Sequence, residues 1–201
     1  SSDLPMNRRN RRLLLDGLGE LQMDPTPGMI DSLVAYCDEI GLWNRRMNLV
    51  GGSERDVVVR HVLDSLTPFN VLRRLLLEQG GSMIDVGSGA GFPGVPLAIV
   101  MPDVAVVLLE RSSKRASFLN TVRLLLGLDS VTVEEGDTGG HGRTYDLVVS
   151  RAFLPYRRAL PLLAPLAGSE GHIVFYAARP PDKCPEEDGY RRCDTPIDVP
   201  F

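Results

Sequence analysis

The sequence predicts an α/β domain, a parallel sheet flanked by helices, with a helical cap in front of it. Three observations point there. From Met83 onward, short apolar runs alternate with helical stretches, the signature of βαβ units. The first of these runs leads into a loop with glycine at alternate positions, Gly87, Gly89 and Gly91. Ahead of it, apolar residues recur at the i, i+3, i+4, i+7 spacing of amphipathic helices.

Residues 8–21 read as a short helix to which no chemistry is assigned. From Pro27 to about Met47, Ile30, Leu33, Val34, Cys37 and Ile40 line one helix face, with Thr26 placed as N-cap and Pro27 in the first turn. Trp43 continues that face, so it is expected in the core rather than as a base-stacking platform, and Cys37 as a small buried hydrophobe. After Gly51-Gly52, Val59, Val62, Leu63 and Leu66 mark a helix from about Arg55 to Leu66. Arg60 with Asp64, and His61 with Ser65, are then expected as i, i+4 pairs outside the buried stripe. A leucine-rich helix over 68–77 ends at Gly80-Gly81. The strands expected next are 83–86, 104–109, 131–134, 146–149 and 172–177. A helix over 114–126 turns Phe118, Val122 and Leu125 inward. Residues 180–201, rich in Pro, Asp and Glu, read as loop with at most one weak strand. The division is a cap at 1–80 and a core at 81–201, read as one integrated domain.

Bulk properties set the bounds. A chain of 201 residues, 43% hydrophobic and 24% charged, buries one substantial core and has the balance of an ordinary globular protein. Its apolar stretches stop well short of the ~20 residues that span a bilayer. No secretory signal opens the sequence, so a cytoplasmic location and no membrane partner are expected. Cys37, Cys184 and Cys193 have no metal-ligand spacing, and no metal is expected. The formal charge of −4 argues weakly against nonspecific nucleic-acid binding. Even so, Arg8, Arg9, Arg11, Arg12, Arg45, Arg46, Arg73, Arg74, Arg157 and Arg158 come in clusters, and a local basic face can coexist with an acidic back.

The glycine loop carries the chemistry. It leaves a buried strand and enters a helix, where the backbone must turn tightly and let a ligand approach without Cβ interference. Such a turn alone also suits nucleotides and nicotinamides. Here the spacing is G-x-G-x-G rather than the dinucleotide G-x-G-x-x-G, and Asp85 stands two residues before the first glycine. A carboxylate there opposes a pyrophosphate but suits a ligand bearing an ammonium and a sulfonium. Glu110 ends the next strand, where a carboxylate can accept both ribose hydroxyls of an adenosine. Gly136-Asp137-Thr138 follows the third strand, where an adenine edge is commonly read. The expectation is S-adenosyl-L-methionine on a Rossmann-like class I methyltransferase fold, with a nicotinamide-dependent oxidoreductase as the alternative.

Over roughly 42–178 the sequence also resembles the glucose-inhibited division protein B family, bacterial methyltransferases acting on guanine N7 of small-subunit ribosomal RNA. The resemblance lies in Trp43-Asn44 with Asn48-Leu49, the Arg60-His61-Val62-Leu63-Asp64-Ser65 block, GSGAGFPGVP within Ile84 to Pro96, Lys114-Arg115 with Phe118-Leu119, and Ser150-Arg151-Ala152-Phe153. It implies that Gly87, Phe92, the Glu110-Arg111-Ser112 turn, Thr138-Gly139 and Arg151 line the cofactor site. It implies that Asn48, Arg60, His61, Asp64 and Ser65 face the cofactor mouth or the RNA. The plainer reading of His61 and Asp64 is that they tie the cap to the sheet domain.

Guanine N7 has an in-plane lone pair and no proton, so its methylation needs no general base, and none is assigned. The absence of Asn-Pro-Pro-Tyr also disfavours the enzymes that methylate exocyclic amines. Arg45, Arg46, Arg60, Arg151 and Arg179 are expected to meet phosphates of 16S ribosomal RNA or the small ribosomal subunit, with the protein acting as a monomer. A noncatalytic RNA-binding or assembly role on the same fold is a further alternative. The sequence departs from the family in three places. Tyr176-Ala177-Ala178-Arg179-Pro180 replaces Tyr-Ala-x-Lys-Gly, Asp137 stands near an expected arginine, and the family is expected to continue into a final antiparallel strand beyond the point where this sequence stops, at Pro200-Phe201.

Overall fold

The computed structural model describes residues 6–79, 81–151 and 153–177. The expectations placed on Arg179, on Cys184 and Cys193, and on residues 180–201 fall outside them. Among the described residues the sheet has five strands: β1 Ser82–Val86, β2 Ala105–Glu110, β3 Val131–Glu135, β4 Tyr145–Arg151 and β5 Ala167–Tyr176. All neighbouring pairs are parallel, in the order β3-β2-β1-β4-β5. In the middle of the sheet Ile84 stands between Val107 and Val148. Strands covered on both faces are apolar throughout rather than alternating, which is why β1, β2 and β4 read as continuous runs. The chain winds outward from β1 to β3, then returns to β4 beside β1. That reversal opens a crevice beyond the carboxyl ends of β1 and β4, the place where open α/β sheets bind ligands.

The cap begins with α1 (Arg8–Glu20) and α2 (Pro27–Met47). Thr26 caps α2, its hydroxyl accepting from the Met29 N–H, and Pro27 stands in the first turn. Arg45 and Arg46 lie in its last turn, where positive charge complements the helix dipole, and Asn48 ends it in the left-handed conformation with φ 47°. Leu14 and Leu18 of α1 and Leu33, Tyr36, Cys37 and Ile40 of α2 share one apolar cluster with Met83, Leu108, Leu147 and Val149 of the sheet. The cap therefore extends the core that covers one sheet face. On the other face Ile84, Val86, Val107, Leu109 and Val148 pack with Ala159 and Leu163 of α8 (Tyr156–Leu163). Trp43 is half-buried in the first cluster, edge-on to Phe118 with ring centroids 5.5 Å apart, and donates its indole N–H to Glu39. No described helix is long and apolar enough to cross a membrane.

Two expectations require correction. The helix over 54–66 is not α-helical throughout. It starts as α3 (Glu54–Asp56), widens into a π-helical stretch at Val57–Leu63, and closes as α4 (Asp64–Leu66), after which α5 (Phe69–Gln79) leads to β1. The wider turn changes which side chains share a face. Val57 and Val58 join the buried stripe and Val59 is only half-buried. Ser65 is fully buried instead of lying outside, with its hydroxyl on the His61 carbonyl. Arg60 does not meet Asp64. It pairs backward with Asp56 at 3.2 Å, while Asp64 pairs with Arg151 of β4. In α7 (Ser113–Leu125), Phe118 and Val122 are buried as expected, but Leu125 is 56% exposed and Leu119 takes the inner position.

Candidate cofactor site and its comparison with known proteins

The loop after β1 is fixed largely by its own backbone. Gly87, Gly89 and Gly91 have φ of +75°, +61° and +95°, a region costly to any residue with a Cβ. The Gly87 and Ser88 N–H groups donate to the Leu109 carbonyl of β2, and those of Gly91 and Phe92 to the Ser88 carbonyl. Space is as limiting as conformation. A Cβ on Gly87 would stand 2.7 Å from the Phe153 ring, and one on Gly94, at the start of α6 (Gly94–Val100), 2.7 Å from an Asp85 oxygen. At Gly89 a Cβ would meet only the Gly87 carbonyl at 3.8 Å, so the loop faces open space there.

The two acids expected at the strand ends are both present and both buried. Asp85 is fully buried; its Oδ2 accepts the Gly94 N–H at 3.0 Å, and its Oδ1 has no hydrogen-bond partner. Desolvation pushes its carboxyl up to about 7, against the pull of the Gly94 N–H, the Ser88 hydroxyl and the Arg151 charge. Glu110 accepts from the Gly89 N–H through Oε2 and from the Ser112 N–H through Oε1, each at 2.8 Å. Each oxygen keeps a second lone pair, so these bonds orient the carboxylate without using up its capacity for ribose hydroxyls.

An orphaned carboxylate oxygen and a glycine facing open space fit S-adenosylmethionine, a cationic ligand with an adenosine end. Arg111 is exposed beside this turn, and Ser112 stands at the N-cap position of α7. The Asp137-Thr138-Gly139 turn follows β3, with the Asp137 carboxylate accepting its own loop's Gly139 N–H at 2.8 Å.

At the end of β4, Arg151 gathers the cap and the loop. Its guanidinium donates to Asp64 Oδ2 at 3.0 Å, to His61 Nδ1 at 2.9 Å and to the Arg60 carbonyl at 3.3 Å, and lies 5.0 Å from the centre of the Phe92 ring. A guanidinium only donates, so His61 Nδ1 must be the unprotonated nitrogen of a neutral ring. Burial first, then the Arg151 charge, hold the His61 pKa below its usual range. Phe92 is buried between His61, stacked at 5.1 Å, and Tyr36, tilted at 5.3 Å. His61 and Asp64 thus tie cap to sheet. The structure brings Asp85, Gly87, Gly89, Glu110 and Ser112 together around the loop, and His61, Asp64, Phe92 and Arg151 beside it. Asn48 and Arg60 are exposed on the cap.

Three contacts have no local signal in the sequence: Phe153 over Gly87, the Tyr36 hydroxyl on the Ala90 carbonyl, and the Tyr176 hydroxyl on the Ser65 carbonyl. Tyr36 stands at helical spacing from Leu33 and Ile40, and that spacing is the one signal the sequence carries for its burial.

A parallel sheet in this order, with a glycine loop after β1 and carboxylates ending β1 and β2, defines a class I S-adenosylmethionine-dependent methyltransferase. The fold agrees with a solved candidate caffeoyl-CoA O-methyltransferase from Staphylococcus aureus, at TM-score 0.50 and 14% identity, covering 83% of this chain and 72% of that one. The model of the GidB family, rRNA small subunit methyltransferase G, matches residues 29–188, and the chain belongs to that family. Among its relatives, ribosomal RNA small subunit methyltransferase G of Borrelia turicatae is 37% identical over 164 residues, 81% of this chain and 78% of the relative. Its counterpart in Polynucleobacter asymbioticus is 31% identical over 197 residues, 94% and 89% of the two chains.

Proposed function

We propose that this chain transfers the methyl group of S-adenosylmethionine to N7 of a guanine in 16S ribosomal RNA, acting as a cytoplasmic monomer in which cap and core work as one domain. The observation that carries the reading is the pairing of buried Asp85, with its partnerless oxygen, and the Glu110-anchored glycine loop at the sheet's crevice. The family membership supplies the RNA.

Bound S-adenosylmethionine supplies an electrophilic methyl group on a sulfonium. Asp85 would balance the positive end of the ligand, Glu110 would hold its ribose, Gly87 and Gly89 would let it approach the backbone, and the Arg111-Ser112 and Asp137-Thr138-Gly139 turns would border the adenine. Guanine N7 would take the methyl group through its lone pair as the carbon–sulfur bond breaks and neutral S-adenosylhomocysteine leaves; it has no proton to lose, so the residues would contribute placement and electrostatics rather than base catalysis. Arg151 is held by Asp64 and His61, with Phe92 beneath it, as a fixed positive charge at the mouth. Asn48 and Arg60 receive the RNA on the cap, Arg60 through phosphate. Ser65, being buried, acts by holding the His61 turn.

The test is transfer of labelled methyl groups to small-subunit RNA from cells lacking this modification, offered naked and as the assembled particle. Incorporation at a guanine N7 is the expected result. Tight cofactor binding with no transfer to either form would favour another acceptor or a noncatalytic role.

A further inference from the structure

We propose that Tyr36 is a positioning residue for cofactor binding: from helix α2 its hydroxyl fixes the orientation of the Ala90-Gly91 peptide in the glycine loop. The inference rests on the reading of that loop as the S-adenosylmethionine site.

Tyr36 is fully buried, and its hydroxyl donates to the Ala90 carbonyl at 2.6 Å across 54 residues of sequence. Burial, more than any neighbouring charge, pushes the phenol well above its usual range, so the group stays a donor at every working pH. The N–H of the same peptide, on Gly91, donates to the Ser88 carbonyl at 2.7 Å. One peptide plane is therefore held at both ends, by the loop itself at the N–H and by the cap at the carbonyl. The loop's other bonds run within itself, to the ends of β1 and β2, or into α6. Among the described residues, Tyr36 makes the one hydrogen bond that joins the cap to this loop.

The plane needs such a holder because its second residue is Gly91. Glycine accepts φ of either sign, so the Ala90-Gly91 peptide can turn over without steric penalty there. With the tyrosine hydroxyl removed, the Ala90 carbonyl is left buried without a partner, a state proteins avoid. Turning over relieves it. The turn also breaks the Gly91–Ser88 bond and reshapes the backbone beside Gly89, where the loop faces open space. The ring of Tyr36 has a separate task, packing at 5.3 Å against Phe92, and that contact does not depend on the hydroxyl.

Tyr36→Phe separates the two tasks. Three quantities decide it: hydrogen exchange of the 87–91 amides in the unliganded protein, the Kd for S-adenosylhomocysteine by calorimetry, and the KM for S-adenosylmethionine apart from kcat. The loop amides should exchange about tenfold faster, with Kd and KM for the cofactor raised about tenfold, a loss of roughly 1.4 kcal/mol. The kcat should stay within about twofold, since cofactor once bound restores the loop. Unchanged exchange and affinity overturn the inference. So does a lower melting temperature with unchanged Kd, which would make the hydroxyl an ordinary packing contact. A parent protein that binds no S-adenosylhomocysteine overturns the reading of the site and the inference with it, whereas parent and variant binding alike overturn the inference alone.

Discussion

The loops after β1 and β3 are both rich in glycine and both lie beyond the carboxyl ends of strands, yet their glycines answer different needs. In the first, positive φ coincides with crowding: a Cβ on Gly91 would stand 2.6 Å from Val95, 2.9 Å from the Tyr36 hydroxyl and 3.1 Å from Leu119. In the second, Gly140 and Gly142 also have positive φ, +80° and +69°, but a Cβ on Gly140 would meet nothing within 4 Å. Residues 136–144 must carry the chain from the end of β3 back to the start of β4, a return shorter than the dozen or so residues such crossovers usually take. Glycine there serves the path of the chain. Glycine after β1 serves a close approach as well. The second loop is fastened by side chains instead: His141 Nε2 lies 2.6 Å from the Tyr145 hydroxyl, and Glu134 pairs with Arg143 and His141.

Alanine at each loop separates the two glycine roles by the widest margin. Gly91→Ala combines left-handed strain with overpacking and should cost about 3–5 kcal/mol together with most of the cofactor affinity. Gly140→Ala meets only the conformational cost, about 1–2 kcal/mol. Urea unfolding of the two variants gives the difference directly, and equal losses would show that crowding is not what distinguishes the loops.

The next effect concerns charge beneath the first loop. With its folded pKa raised to about 7 from 3.8, Asp85 favours the folded state most below pH 3.8 and loses that contribution as pH rises toward 7. Between pH 5 and 8, Asp85→Asn should therefore gain about 2–3 kcal/mol of stability relative to the parent. A cationic ligand favours the ionised carboxylate, so cofactor affinity of the parent should climb with pH through 7, and the variant's should not. Paired pH titrations of melting temperature and cofactor Kd check both. A parallel pH course in parent and variant would place the relevant titration elsewhere.

The cap–sheet junction ranks third. Asp64→Ala leaves the largely buried Arg151 guanidinium, 16% exposed, without its carboxylate and should cost about 2 kcal/mol. Arg60→Ala removes a side chain 77% exposed and should cost under about 0.5 kcal/mol while weakening RNA binding. Denaturant midpoints alongside RNA binding at two salt concentrations separate the roles. A stability loss at Arg60 comparable to that at Asp64 would count against a phosphate-facing cap.

Legibility in the sequence divides along the same line. The strands were readable because burial on both faces makes them continuous apolar runs, and the loop after β1 because alternating glycines, Asp85 and Glu110 stand at fixed offsets. The first half of β5, Ala167 to Gly171, was not, having no such run. Nor was the π-helical stretch. A 3.6-residue period fits its apolar residues well enough to hide a wider turn, and that turn buries Ser65 and hands Asp64 to Arg151 rather than Arg60. Tyr36 and Ala90 lie 54 residues apart, and no pattern in either segment announces the other.

The smallest effect bears on whether the second loop reads the ligand at all. Asp137 is exposed, and its carboxylate closes its own turn onto the Gly139 N–H, so Asp137→Ala should cost about 0.5 kcal/mol or less of stability. If the turn borders the adenine, removing its carboxylate should still weaken cofactor binding severalfold, about 1 kcal/mol, the worth of one such hydrogen bond. Calorimetry with S-adenosylhomocysteine and with a ligand lacking the adenine amino group separates the two contributions: the variant should lose affinity for the first and little for the second. An equal loss for both ligands would mean that Asp137 shapes the turn without reading the base. The loop after β3 would then differ from the loop after β1 in function as well as in the way it is held.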